Sequence, residues 1–253
     1  MLNIVVPMSG PNHFEGDEFQ YPKPLIDIQG KPLIQYVVEC LNTIKADKRF
    51  IFIVNDADCR KHYLDQVLKL AVRDAESIVI KSQAPTQGAA CTTLLAVEYI
   101  DNADELLISN SDHVLDVDLN DMIHAFKTNC FDAGVACFHS IHPKWSYVRL
   151  EDGRVVEAAE KRPLSKNAIA GLYYFRHGSN FVRAAMRMIE KSSHHAVDGL
   201  YYIAPSLNEL VLENKAIGAF FLETAAYHNL YSPARIREFE QLVQERVSQR
   251  CEY

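Results

Sequence analysis

Apolar residues fall along this chain in two alternating rhythms. Short continuous runs rich in β-branched residues, at 2–6, 50–54, 77–81 and 105–109, predict strands buried on both faces. Between them the apolar positions take a helical period. Leu33, Ile34, Val37, Val38, Leu41 and Ile44 mark one helix face, with Pro32 suited to its first turn. Tyr63, Val67, Leu68 and Leu70 mark a second, and Thr92, Leu95, Ala96 and Tyr99 a third. Strand and helix in alternation predict βαβ units around a largely parallel sheet.

The second half is less regular. Strands are predicted at 133–139, 146–150, 154–158 and 168–175, and Glu151-Asp152-Gly153 reads as a hairpin turn, so the sheet becomes mixed. Helices follow at 179–190 and 205–213, then a strand at 217–222. A last helix is expected to open with Ser232 as N-cap and Pro233 at its first position. No repeat or Gly/Ser linker interrupts the pattern, which predicts one domain over 1–253.

Composition narrows the class without changing the fold. The 253 residues are 48% hydrophobic and 23% charged, ordinary for a globular chain. At this size about 70–75% of the unfolded surface can be buried, so no disulfide or structural metal is needed for a core. The six cysteines form no CxxC pair, several lie in apolar stretches, and they read as reduced, buried thiols. The start lacks a basic head and a long apolar run, which predicts a soluble cytoplasmic protein without membrane insertion. A formal net charge of −7 argues against a nucleic-acid surface but leaves room for a local phosphate pocket.

Four segments could carry chemistry. The loop after the first strand, with Met8, Ser9 and Gly10, lies where an open α/β sheet places ligands, and its backbone amides could reach phosphates. Beyond it, Pro22 and Pro24 restrict the backbone on both sides of Lys23 and would aim its ammonium; the alternative is a turn with an exposed lysine. Asp112 ends an apolar strand and suits Mg²⁺, or else caps the turn. Asp118 stands where a helix should begin and reads as an N-cap. From Ser82 to Ala90, Gln83 precedes a helix opening with Gly88 and Ala89, small residues that would admit a flat ring or simply pack tightly. Lys161 and Arg162 could grip a phosphate or be solvated surface. His139, His142 and the pair His194-His195 lack a third ligand at zinc-like spacing.

Taken in order, these segments resemble the sugar-phosphate nucleotidyltransferases, the nucleotide-sugar pyrophosphorylases and their cytidylyltransferase relatives. The closest likeness is Tyr21-Pro22-Lys23-Pro24-Leu25-Ile26 followed by Gly30-Lys31-Pro32-Leu33-Ile34. Gly88-Ala89-Ala90-Cys91 and His142-Pro143-Lys144-Trp145 further resemble the branch found with bacterial capsule and surface polysaccharides. The resemblance implies a Rossmann-like (GT-A-like), mostly parallel mixed sheet flanked by helices. It also implies a nucleotide-binding lobe at about 1–130, a smaller acceptor-binding lobe at about 131–231 and a C-terminal helix at about 232–249. The implied reaction passes a nucleoside monophosphate from an NTP to a small phosphorylated acceptor with release of pyrophosphate. Lys23 and Lys161 would be catalytic; Met8, Ser9, Gly10, Gln83, Gly88 and Ala89 would hold the nucleotide; Asp112 and Glu223 would hold Mg²⁺. Trp145, Glu160, Gly171, Tyr173 and Asn229 would face the acceptor. Two departures stand out: the loop carries no arginine or lysine before Lys23, and Asn229 lies where the family has a second metal-binding aspartate. A nucleotide-sugar-dependent glycosyltransferase and a non-catalytic nucleotide-binding protein on the same fold are the alternatives. A homodimer is the default assembly.

Overall fold

A computed structural model describes residues 1–11, 14, 19–191 and 197–251, with side chains described through residue 248. Asn12, His13, His194 and His195 lie outside the described residues. The elements in chain order are β1 (Leu2–Met8), the small hairpin β2 (Asp27–Ile28) and β3 (Lys31–Pro32), α1 (Leu33–Asn42), β4 (Lys48–Asn55), α2 (Asp56–His62), α3 (Leu64–Ala71) and β5 (Glu76–Ser82). Next come α4 (Ala89–Leu94), α5 (Val97–Ile100), β6 (Glu105–Ser109), β7 (His113–Leu115), α6 (Leu119–Thr128), β8 (Ala133–His139), β9 (Ser146–Glu151), β10 (Arg154–Glu160) and β11 (Asn167–Phe175). The chain closes with α7 (Gly178–Glu190), α8 (Ile203–Leu212), β12 (Ile217–Phe221), β13 (Tyr227–Asn229) and α9 (Pro233–Cys251).

A nine-stranded mixed sheet runs β10-β9-β11-β6-β1-β4-β5, with β8 and β12 joined beside β11. The pairs β6-β1, β1-β4 and β4-β5 are parallel, whereas β11 is antiparallel to β6 and β8. Alternate residues of the central strands feed two cores. Ile4, Val6, Phe50, Phe52 and Leu107 pack with α1, α3 and α6 on one face, and Val5, Ile51, Ile53, Leu106 and Ile108 with α7 and α8 on the other. Helices on both faces explain why these strands read as unbroken apolar runs.

Several predicted elements are refined. The second predicted helix forms as α3 with Tyr63 left just outside it, in the left-handed conformation (φ 56°), and the third breaks at Ala96 into α4 and α5. Pro32 sits one residue before α1, as its cap. The hairpin at Asp152-Gly153 forms with both residues at positive φ, and the Asp118 carboxylate caps α6 by accepting from Asn120 N. Cys130, expected to be buried, is exposed in the turn after α6, while Cys59 and Cys137 are buried thiols. The last helix begins at Pro233 and is tied down by Asp116, which accepts from Arg246 and, at 2.7 Å, from His228 Nε2. Among the described residues no helix is long and apolar enough to cross a membrane.

Candidate active site

Strand order reverses at β1, whose neighbours β4 and β6 lie on opposite sides, so a crevice opens beyond the carboxyl ends of β1 and β6. The chain leaves β1 through Met8 and Ser9, both buried, and Ser9 Oγ lies 3.4 Å from Thr92 Oγ1 in α4. Gly10 is exposed beside them. A single 3-10 turn, Lys23–Leu25, then returns to the crevice with Pro22 ahead of it and Pro24 buried within it. Both prolines fix the backbone around Lys23, as the sequence predicts. The ammonium reaches 3.2 Å from Asp112 Oδ2, 89 residues away, and stands 5.2 Å from the centroid of the Phe14 ring.

Asp112 lies in the excursion between β6 and β7. Its carbonyl accepts from Leu230 N at 2.7 Å, and Asn110 N donates to Gly171 O at 3.0 Å, so the excursion is fastened from two sides. The next residue, His113, is fully enclosed; burial pushes its imidazole down to about 4, against the pull of the Asp112 charge, and keeps it neutral. Across the β7-β13 ladder His113 is paired with Asn229. Asn229 Oδ1 is buried without a hydrogen-bond partner among the described residues. A buried amide oxygen left unpaired is a cost that a ligand atom could relieve.

The opposite wall comes from the antiparallel strands. Register between β11 and β8 breaks between Ile169 and Tyr173, and Gly171 takes φ 76° inside that bulge. A β-carbon there would stand 2.5 Å from Asn110 Nδ2, so the glycine lets the Asp112 excursion lie against β11. Glu160, at the end of β10, accepts from Ser146 Oγ. Burial pushes its carboxyl up, outweighing the Ser146 hydrogen bond and the Lys161 charge. Lys161 turns away at φ 52°; its ammonium sits 2.8 Å from Asp198 Oδ2 and 5.3 Å from the centroid of the Tyr202 ring.

Between the walls is a cavity of about 350 Å³. Of the residues predicted from sequence, Ala89, Asp112, Trp145, Glu160, Gly171, Tyr173 and Asn229 line it together. Lys23 reaches it through Asp112, whereas Lys161 holds the rim. Gln83 is exposed on the turn after β5, and Glu223 is exposed ahead of β13, away from the lining. At Gly88 the close-packing alternative is the one seen. Its missing side chain does not make room for a flat ring, because a β-carbon there would lie 2.4 Å from the carbonyl oxygen of Tyr201. The segment 197–202 fills that space, with Tyr201 N donating to Gln87 O and Ala90 N to Tyr201 O.

Sequence reasoning passed over Asn110, Lys144, Ser146, Tyr202, Tyr227 and Tyr231, which also line the cavity. The three tyrosines carry no motif of their own and come from separate segments that only the fold unites. Lys144 carried a usable signal, being next to the chain's one tryptophan.

The fold agrees with that of known proteins. A nucleoside-diphosphate-sugar pyrophosphorylase from Vibrio cholerae superposes with a TM-score of 0.80 at 22% identity, over 94% of this chain and 99% of that one. The bifunctional protein GlmU of Methanocaldococcus jannaschii is 24% identical over 201 residues, 78% of this chain and 43% of the relative. Mannose-1-phosphate guanylyltransferase 1 of Arabidopsis thaliana is 27% identical over 161 residues, 60% of this chain and 44% of the relative. The matched region thus spans less than half the length of these two relatives. The nucleotidyl transferase family as a whole matches residues 19–218, which include the Lys23 turn, Asp112, Gly171 and the 197–202 segment. The chain with this fold and crevice is a member of the nucleotidyl transferase family.

Proposed function

We propose that this protein transfers a nucleoside monophosphate from an NTP to a small phosphorylated acceptor, a sugar phosphate or similar, and releases pyrophosphate. The observation that carries this reading is the Lys23–Asp112 pair, assembled from two distant segments at the mouth of a cavity whose other wall bears Glu160 and Tyr173. An acceptor phosphate oxygen forms a bond to the α-phosphorus as the α–β bridging bond breaks, and pyrophosphate departs with the bonding electrons. Little covalent work falls to the protein, so catalysis is positioning and charge neutralisation.

The nucleotide takes the side formed by about 1–130. Backbone groups at Met8 to Gly10 and at Gln83, with Ala89, hold it there, and Lys23 neutralises phosphate charge. The acceptor takes the side formed by about 131–231, with Glu160 accepting from its hydroxyls and Lys161 free to leave Asp198 for its phosphate. Asp112 and the unpaired Asn229 amide oxygen fit Mg²⁺, which binds through one or two protein oxygens plus substrate phosphates. Bound there, the ion would neutralise developing charge on the phosphates. The Gly88-Ala89-Ala90-Cys91 and His142-Pro143-Lys144-Trp145 segments support a place in surface-glycan synthesis.

The test is direct. The protein is incubated with each of the four common NTPs, Mg²⁺ and a panel of sugar and polyol phosphates, and pyrophosphate and nucleotide conjugate are quantified. One NTP–acceptor pair should yield both in equal amounts. Neither product across the panel would count against the reading.

A further inference from the structure

Three lysines stand around the cavity, and two are spoken for. Lys23 holds Asp112 and Lys161 holds Asp198. Lys144 has no carboxylate partner among the described residues, yet it lines the cavity, which Lys161 does not. It is built in place by the turn between β8 and β9, where its backbone N–H donates to His142 Nδ1 at 3.2 Å. Its ammonium donates to Tyr231 Oη at 2.6 Å and stands 4.5 Å and 4.2 Å from the centroids of the Trp145 and Tyr231 rings.

An ammonium has three N–H donors, and one is used here. The aromatic faces attract its charge but offer no directed acceptor, so the other two donors lack one among the described residues. The carboxylates lining the same cavity do not supply one either. Asp112 is engaged by Lys23, and Glu160 by the Ser146 hydroxyl. The Lys144 ammonium at the Trp145–Tyr231 end of the cavity therefore stands without a carboxylate partner among the described residues.

We propose that Lys144 is an anion ligand of this cavity and takes an oxyanion carried by the acceptor, either its phosphate or a carboxylate. The inference rests on the reading of this cavity as the acceptor side, and it moves the resident acceptor contact from Lys161 to Lys144. A charge-assisted hydrogen bond to an oxyanion is stronger than a cation–π contact at a partly exposed ring. An arriving oxyanion therefore draws the ammonium off Trp145. Because Trp145 is the chain's single tryptophan, its emission reports that exchange without interference.

The experiment is a titration of Trp145 fluorescence at constant ionic strength with glucose 1-phosphate, glucuronate and neutral glucose, without NTP. At least one of the two anions should give a saturable change and glucose none. A response to glucose 1-phosphate alone assigns the phosphate; a response to glucuronate assigns a carboxylate. Lys144→Met should abolish the saturable change or weaken the apparent affinity about tenfold or more, as expected for one lost charge-assisted contact. Lys144→Arg should restore most of it, and Lys69→Met, an exposed charge on α3, should match the wild type. No saturable response to either anion, an equal response to glucose, or an unchanged affinity in Lys144→Met would overturn the proposal. Turnover is not needed, so failure of the pyrophosphate assay with anion binding intact counts against nucleotidyl transfer alone.

Discussion

Each wall of the cavity offers a lysine paired with an aspartate, and the two pairs are built differently. Lys161–Asp198 is the shorter, at 2.8 Å against 3.2 Å for Lys23–Asp112, but its side chains are 40% and 72% exposed against 18% and 24%. Water screens the outer pair and leaves it worth little. The inner pair also has the stiffer frame, a turn restrained by two prolines facing a strand end, whereas Lys161 and Asp198 both sit in left-handed turns, Asp198 followed by Gly199 at φ 75°. Distance alone would rank them in the wrong order. Burial and backbone restraint hold the inner pair in place, whereas the outer pair, open to water, can exchange partners at little cost.

The comparison is broken most forcefully at its strong end. Lys23→Met and Asp112→Asn should each lower kcat/KM for pyrophosphate release by about 10²- to 10³-fold, the loss typical of one preorganised charge contact. Lys161→Met should cost only about tenfold, seen as a raised KM for the acceptor, and Asp198→Asn should cost less than that. If Lys161→Met equalled Lys23→Met in effect, burial would not be what separates the two pairs.

A glycine at positive φ supports each wall, and substitution there reads out stability. At Gly88 a β-carbon meets the Tyr201 backbone, which cannot swing aside; at Gly171 it meets the exposed Asn110 side chain, which can, and lies 3.0 Å from the enclosed His113 Nδ1. Both variants also strain a backbone at φ 102° or 76°. Gly88→Ala should therefore cost about 2–4 kcal/mol in urea unfolding and Gly171→Ala about 1–3 kcal/mol. Equal costs would mean that the 197–202 segment yields as readily as a side chain.

These glycines also mark how far the sequence could be read. The parallel half was legible because its strands, covered on both faces, are unbroken apolar runs, and the Pro22–Pro24 restraint on Lys23 is a local property of the chain. The small residues at Gly88 and Ala89 were legible as a close approach, but what approaches is set by Tyr201, more than a hundred residues later. The pairing of β7 with β13 escaped because three-residue strands have too few positions to show a period. That pairing is what brings Asn229 to Asp112. Tyr202 and Tyr231 escaped for a related reason: each is unremarkable in its own segment, and only the tertiary fold sets them around one space.

The smallest effect tests burial on the outer wall itself, where Glu160 lies deeper than its neighbour Lys161. Burial raises the Glu160 carboxyl above its ordinary value, more than Ser146 and Lys161 lower it. The folded chain therefore takes up this proton at a higher pH than the unfolded chain does. Where the carboxyl is ionised in both states, its desolvated charge costs stability, and that cost fades as pH falls through the raised folded value. Glu160→Gln removes the charge and keeps an oxygen for the Ser146 hydroxyl. The variant should be more stable than the wild type at pH 8, by less than about 1 kcal/mol, and the gap should close on acidification. Its acceptor KM should rise at the same time, since a carboxylate that accepts from acceptor hydroxyls is a better partner than an amide. Lower stability at pH 8 would mean that Lys161 and Ser146 already compensate the charge, and that the outer wall is as well paired as the inner one.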